Sequence, residues 1–293
     1  MTMGKRKKAY AASAAAVVIT AWLLWGNLTV GTTYYHASFA ELPASFDGFK
    51  IAQLSDFHNA RFGRDNAMIV DILKREKPDM IAITGDYIDS RRTDIGIAEK
   101  LTEQITRIAP CYYITGNHEA RLGEEYAELE KSMIDAGVIV LRDETCLFLR
   151  GDEAIRIAGL DDPKFKGGSC EIRDSLKPPE DERRFTLLLS HRPEAFEEYV
   201  RGGFDLALCG HAHGGQVRIP FLGGLAAPNQ GLLPRYDAGV FRKGETTMIV
   251  SRGLGNSIIP IRVNNRPEVI IIELQREDRE NNNKHATESE NPV

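Results

Sequence analysis

Short apolar runs, each closed by Gly, Asp, Asn, Ser or His, recur along the chain from Lys50 to Leu274. Between Phe49 and Gly116 they alternate with longer mixed stretches. Lys50 to Leu54, Met80 to Thr84 and Cys111 to Thr115 read as strands, and Asn66 to Glu76 and Ile95 to Ile108 as helices. Such alternation predicts parallel strands joined by crossover helices. Pro78 and Pro110 stand between each helix and the next strand, where a residue unable to continue a helix ends it. A helix from about Glu124 to Ala136 follows. The spacing then tightens, and Val138 to Leu141, Cys146 to Leu149 and Ile155 to Leu160 read as short strands of a second sheet. Strand signals resume at Phe185 to Leu189, Leu206 to Cys209, Gln216 to Ile219, Thr247 to Ser251 and Val269 to Leu274. Two packed sheets flanked by helices would use all of these segments.

The N-terminal pattern is different. Lys5, Arg6, Lys7 and Lys8 precede an uncharged stretch from Ala9 to about Gly31 that holds Val17, Val18, Ile19, Trp22, Leu23, Leu24 and Trp25. Its length suits a bilayer span of about 20 residues. The basic cluster predicts a single-pass anchor in the cell membrane, its N-terminus cytoplasmic and the following domain extracytoplasmic. Four consecutive cations at the extreme N-terminus argue against a buried core helix. A cleaved signal peptide stays open, because Ser38-Phe39-Ala40 has the small-x-small form of a cleavage site. That site lies well beyond the apolar run, which favours an uncleaved anchor. The expected organisation is a basic N-terminus and anchor over 1–31, a folded domain over 32–274, and a polar tail over 275–293 too poor in apolar residues to order.

Composition narrows the function. A hydrophobic fraction of 42% in 293 residues can furnish the core of one large domain. The net charge of -5 and the lack of aromatics interleaved with Lys and Arg exclude a dedicated nucleic-acid binder. Cys111, Cys146, Cys170 and Cys209 show no close-paired metal spacing. Cys111 and Cys209 fall in or beside apolar runs and read as small core residues.

The chemistry lies at the strand ends. Of the 7 histidines, His58, His118, His191, His211 and His213 each adjoin a Gly, Asp, Asn or Ser where a predicted strand stops. In an open α/β sheet, ligand sites form at strand carboxyl ends, so distant segments can converge there. Asp56 and His58, two apart after the strand ending at Leu54, would project to one side of an extended chain and bind one ion together. His211 and His213 share a side in the same way. Asp86, after Gly85, offers a carboxylate able to bridge two ions. Asn117 adds a neutral carbonyl oxygen, and His118 an imidazole that exchanges protons near neutral pH. A single Asp-x-His or a lone His191 is ordinarily a polar turn or a structural residue; the joint occurrence points to a metal site.

These motifs, Asp56-x-His58, Gly85-Asp86-x-x-Asp89, Gly116-Asn117-His118-Glu119, His191 and Gly210-His211-x-His213, resemble the calcineurin-like metallophosphoesterase family over roughly Phe49 to Leu274. Gly210 to Gln216, Ala227 to Gly231 and Ser251 to Asn256 are similar to a membrane-anchored bacterial branch, some of whose members are UDP-2,3-diacylglucosamine pyrophosphatases. The resemblance implies an α/β, four-layer αββα sandwich of two mixed β-sheets. It implies two divalent metal ions, one held by Asp56, His58, Asp86 and His213, the other by Asp86, Asn117, His191 and His211. His118 would be the acid outside the coordination shell. Glu119 stands where the family usually has Asp, which bears on local hydrogen bonding. His and Asn ligation suits Mn, Fe or Zn better than Ca. Asp89 would orient His118 or cap a turn. Arg91 and Arg92 would clamp phosphate or start a solvated helix. Phe221 to Ala227 and Leu232 to Pro234, apolar for loops, would wall an acyl chain, rest on a bilayer or pack on the domain. The expected substrate is a phosphorylated small molecule or a lipid-linked phosphate.

Overall fold

The computed structural model describes residues 3–168, 172–178, 184–256 and 260–277. Its helices are α1 (Met3–Leu28), α2 (Ala67–Glu76), α3 (Ile95–Ile105), α4 (Glu125–Asp135) and α5 (Phe196–Arg201). The first strands are β1 (Gly31–Phe39), β2 (Lys50–Leu54), β3 (Met80–Thr84), β4 (Cys111–Ile114), β5 (Ile139–Val140), β6 (Glu144–Arg150), β7 (Glu153–Gly159), β8 (Thr186–Leu189) and β9 (Leu206–Cys209). The short strands β10 (Arg218–Ile219), β11 (Gly223–Gly224), β12 (Ala226–Ala227) and β13 (Gly231–Leu232) make two small hairpins. The chain closes with β14 (Gly239–Lys243), β15 (Thr246–Val250) and β16 (Glu268–Arg276).

Two mixed sheets result, in the orders β1-β16-β2-β3-β4-β5 and β14-β15-β9-β8-β7-β6. Their layering follows from two-residue alternation hidden inside the continuous apolar runs. Met80 and Ala82 of β3 face a core shared with Leu187 and Leu189 of β8 and Leu206 and Leu208 of β9. Ile81 and Ile83 face the other way, onto a core with Ile69 and Leu73 of α2, Leu101 of α3 and Leu129 of α4. Beyond the second sheet, Leu188, Ala207 and Met248 pack on Phe196 and Tyr199 of α5. Helices, sheet, sheet and helix therefore stack as the expected α/β sandwich. Buried Cys111 and Cys209 occupy core positions, and Cys170 lies outside the described residues.

Three expectations need correction. Ile139 and Val140 pair with β4 in the first sheet, not the second, because α4 returns the chain to that edge. Gln275 and Arg276 belong to β16, so the polar stretch begins later than residue 275; residues 278–293 lie outside the described ones. The strand expected over Gln216 to Ile219 is confined to Arg218–Ile219, with Val217 in an isolated bridge to Val263. Conversely, β1 runs parallel to β16 with Tyr34 opposite Ile271, a pairing that the alternating Thr, Tyr and His residues did not announce.

α1 carries a stretch, Tyr10–Leu28, long and apolar enough to cross a membrane, and none of it is buried by the rest of the protein. Its end is tied to the domain. Asn27 Nδ2 donates to the Arg262 carbonyl at 2.9 Å, and Arg262 N donates to Asn27 Oδ1 at 2.7 Å. Nearby, the Glu268 carboxylate accepts from Arg252 N at 2.9 Å and Arg252 Nε at 2.8 Å, and also from Thr33 of β1. Glu268→Ala would strip the partner from a largely buried guanidinium. Because Arg252 keeps partial solvent access, the loss should fall near the low end for such pairs, about 3 kcal/mol. Thermal unfolding of the full chain in detergent checks this, and an unchanged midpoint would refute it.

Candidate metal centre

The candidate site residues gather at the edge where both sheets present their strand carboxyl ends. Asp56, His58, Asp86, Asn117, His118, His191, His211 and His213 are all buried there. Asp86 Oδ2 lies 3.6 Å from His58 Nε2 and 3.3 Å from His191 Nε2, between two imidazoles from different sheets. Its other oxygen accepts His118 N at 2.7 Å. Two groups of donor atoms share this carboxylate: Asp56, His58, Asp86 and His213 on one side, Asp86, His191 and His211 on the other. Asp89 closes a third with His58 and His118.

The backbone that delivers these side chains is not extended. Asp56 (φ 51°), His58 (φ 48°), Asp86 (φ 49°), His211 (φ 66°) and His213 (φ 48°) all lie in the left-handed region. The expectation that Asp56 and His58 share one side of an extended segment is therefore overturned: sharp turns bring them together. The same applies to His211 and His213, which part company, His213 meeting Asp56 at 3.3 Å and His211 Nδ1 meeting His191 Nε2 at 3.2 Å. Each such conformation costs of order 1–3 kcal/mol, which is characteristic of functional sites.

Two glycines make room. A Cβ at Gly116 would overlap the Asp86 backbone nitrogen and Oδ1, and one at Gly255 would overlap the Phe57 carbonyl. Gly255 belongs to the Ser251 to Asn256 segment, whose Leu254 N and Gly255 N donate to the Ser55 and Asp56 carbonyls at 3.0 and 2.6 Å. That segment buttresses the Asp56 turn.

The fit to divalent cations is testable on charge and on unmet polar groups. Asn117 Oδ1 is buried and makes no hydrogen bond among the described residues. His58 Nε2 and His213 Nε2 approach within 3.3 Å while their Nδ1 atoms lack partners, and a cation would take the lone pairs of both Nε2 atoms. Burial pushes His58 and His213 down to about 3, against the pull of Asp86 and Asp56, and pushes His211 well down with help from His191 and Arg192. These rings are neutral, the form that ligates metal. At His191 burial also acts downward, but the Asp86 carboxylate outweighs it and lifts the ring to about 10, whereas Asp86 itself is held well below the usual carboxylate range. A cation beside Asp86 would take the place of the His191 proton, and with that exchange the residues present suit two cations.

Around this core are residues that the sequence patterns did not single out. Arg192 is buried in a bidentate pair with Asp162, at 2.6 and 3.1 Å, and donates to His211 Nε2 at 2.7 Å. Its position directly after His191 was the one available signal. Arg91, Arg121, Lys164 and Arg192 line a cavity together with Asp86, Asn117, His118, His211 and Asn229. Arg92 lines the neighbouring cleft with His58. His118 Nδ1 lies 3.1 Å from Ser90 N and Oγ and 3.3 Å from Asp89 Oδ1, while Nε2 faces Arg121 Nη1 at 3.4 Å. Asp89 Oδ1 also accepts Arg91 N at 3.0 Å, so it both touches His118 and closes a turn. Burial lowers the pKa of His118, with Asp86 and Asp89 opposing.

Glu119 explains its own departure from the expected Asp. It is fully buried and accepts backbone N–H bonds from Asp86 at 3.0 Å, Tyr87 at 2.7 Å, Ile88 at 3.3 Å and Gly116 at 2.8 Å. The longer side chain spans two loops that a shorter carboxylate would reach less far across. Burial first, and Asp86 next, push it up to about 7, while its backbone donors pull it down.

The profile of the calcineurin-like phosphoesterase family matches residues 49–215, and the chain belongs to that family. It is a metallophosphoesterase, an enzyme that hydrolyses phosphoric esters. Over 280 residues it is 31% identical to the uncharacterized metallophosphoesterase YkuE of Bacillus subtilis strain 168, covering 85% of this chain and 92% of that one. Over 232 residues it is 32% identical to the phosphodiesterase YaeI of Escherichia coli strain K12, covering 77% and 82%. A transmembrane protein with metallophosphoesterase domain from Danio rerio is 29% identical over 252 residues, covering 80% of this chain and 55% of its own.

Glu119→Gln would turn an amide NH2 toward the backbone donors that the carboxylate now satisfies. Stability should fall by about 1–3 kcal/mol, with bound metal per chain falling alongside; retention of both in calorimetry and elemental analysis would refute the positioning role.

Proposed function

We propose that this metallophosphoesterase uses two divalent cations, Mn, Fe or Zn, to cleave a phosphoester or pyrophosphate bond in an envelope or lipid-linked substrate. The observation that carries the proposal is Asp86 Oδ2 lying between His58 and His191, beside the unpartnered Asn117 oxygen and under a cavity lined by cationic side chains. Asp56, His58, Asp86 and His213 are assigned to one cation and Asp86, Asn117, His191 and His211 to the other. When bound, the cations supply Lewis acidity to phosphate oxygens and lower the pKa of an attacking water.

The chain's own groups do the rest. Arg91, Arg121 and Lys164 form no ion pair with a carboxylate among the described residues and are available to a phosphate. His118 is the general acid: its Nδ1 is held by the Ser90 backbone N–H at 3.1 Å with Asp89 beside it, leaving Nε2 to give a proton to the departing oxygen. Arg192, fixed by Asp162, holds the His211 ring.

Location supports the substrate class. The transmembrane naming of the Danio rerio relative, the free apolar face of α1 and the Lys5 to Lys8 cluster together support a single-pass anchor with the catalytic domain outside the cytoplasm. The similarity to the anchored bacterial branch belongs to the same reading.

Full-length protein in detergent should hydrolyse nitrophenyl phosphate or bis(nitrophenyl) phosphate with Mn, lose turnover on chelation and regain it on Mn return. Turnover that survives chelation, or that persists in Asp86→Asn, would remove the reading. His118→Asn should keep its metal and lose about 10²–10⁴ in kcat on a methyl phosphodiester. It should lose far less on a nitrophenyl ester, whose phenolate departs without a proton; equal losses on both would rule out the acid role.

A further inference from the structure

The two hairpins after His213 expose a large apolar surface that the catalytic centre does not use. Phe221 is 108% exposed and Leu232 77%, and Leu222 and Leu233 are also exposed. They form one structure: Leu225 N donates to the Val217 carbonyl at 2.8 Å, and Leu233 N to the Leu225 carbonyl at 2.9 Å. A monomeric soluble surface rarely gathers such side chains without a partner.

Hydrogen bonds connect this surface to the end of α1. Arg218 N donates to the Val263 carbonyl at 3.0 Å, Val217 bridges Val263, and the adjacent Arg262 exchanges both bonds with Asn27. The Arg266 guanidinium lies 4.5 Å above the Trp25 ring, and Arg262 and Arg266 share a cleft with Trp22, Leu23 and Gly26. Tryptophans and arginines at one level of an apolar helix mark the headgroup zone of a bilayer. The segment holding the hairpins thus sits at that zone.

The same hairpins reach the metal cluster. Pro228 and Asn229, in the turn between β12 and β13, line the cavity, and Asn229 Nδ2 is 3.4 Å from His211 Nε2. A second cleft runs from Asn27 to His58, past Arg61, Arg92 and Leu254. One wall of the site therefore ends in apolar tips, and one entrance begins at the anchor.

We propose that Phe221, Leu222, Leu232 and Leu233 insert into the bilayer from which α1 emerges, so that the site takes phosphorylated headgroups presented by that same bilayer. This rests on the phosphoesterase reading for the chemistry but not for the insertion.

The test uses full-length protein in phosphatidylcholine vesicles. Phe221→Cys and, on α4, Glu128→Cys are labelled with a polarity-sensitive fluorophore, with labelled wild type subtracted for the native cysteines. Quenching by nitroxide lipids at position 221 and not at 128 is expected; equal quenching at both overturns the insertion. The quadruple variant Phe221→Ser, Leu222→Ser, Leu232→Ser, Leu233→Ser is then assayed on soluble bis(nitrophenyl) phosphate and on a diacylglycerol nitrophenyl phosphodiester in the vesicles. The lipid ester should slow about tenfold while the soluble ester is unchanged. Unchanged rates on both, or equal losses on both, overturn the proposal. If wild type hydrolyses neither, the chemistry has failed, and the quenching still decides the insertion.

Discussion

A carboxylate buried among imidazoles, with one oxygen aimed between two of them, is the constraint around which the rest is arranged. Asp86 gives Oδ2 to His58 and His191 and Oδ1 to the His118 backbone, so neither oxygen is free to relax. Its loop cannot drift either, because Glu119 holds the backbone of Asp86, Tyr87 and Ile88 from below. Gly116 is bare because Asp86 occupies the space a side chain would take. Removing charge from this centre would leave neutral rings stacked with nothing to bind; adding bulk would push the two sheets apart.

Those sheets meet directly at the site. Gln53, buried in β2, donates to Thr84 in its own sheet at 3.1 Å and to the Cys209 carbonyl of the other at 2.9 Å. Asp56 accepts His211 N with both oxygens at 3.1 Å. The left-handed turns at five candidate ligands are sustained by this cross-sheet bonding, and the apolar cores behind it give the turns a rigid base. Pre-positioned ligands of this kind spare the site from reorganising when it binds.

Much of this was legible in the sequence because a strand buried on both faces is written as an uninterrupted apolar run, and its end is marked when polar residues follow at once. Leu54 before Ser55-Asp56 and Cys209 before Gly210-His211 are such places. β1 was missed because it reads Thr33-Tyr34-Tyr35-His36, partly exposed and lacking an apolar run. The sheet membership of Ile139 and Val140 depends on where α4 sets the chain down, which no local pattern carries. Arg192–Asp162 and the Glu119 bonds join residues far apart or serve backbone groups, so their partners are invisible one residue at a time. Two-residue spacing implies a shared side only where φ stays extended, and at Asp56 and His58 it does not.

Only Thr29 and Val30 separate α1 from β1, and β1 is hydrogen-bonded along its whole length to β16. The apolar helix and the first sheet are thus coupled like a shaft keyed into a plate. A long flexible tether would let a catalytic head sweep a volume of solvent; this one grants almost no reach. Any tilt of the helix becomes a tilt of the sheet, and the height of the strand-end pocket along the helix axis is a fixed length. The molecule is built as a ruler, with the distance from helix end to strand-end pocket written into the first sheet.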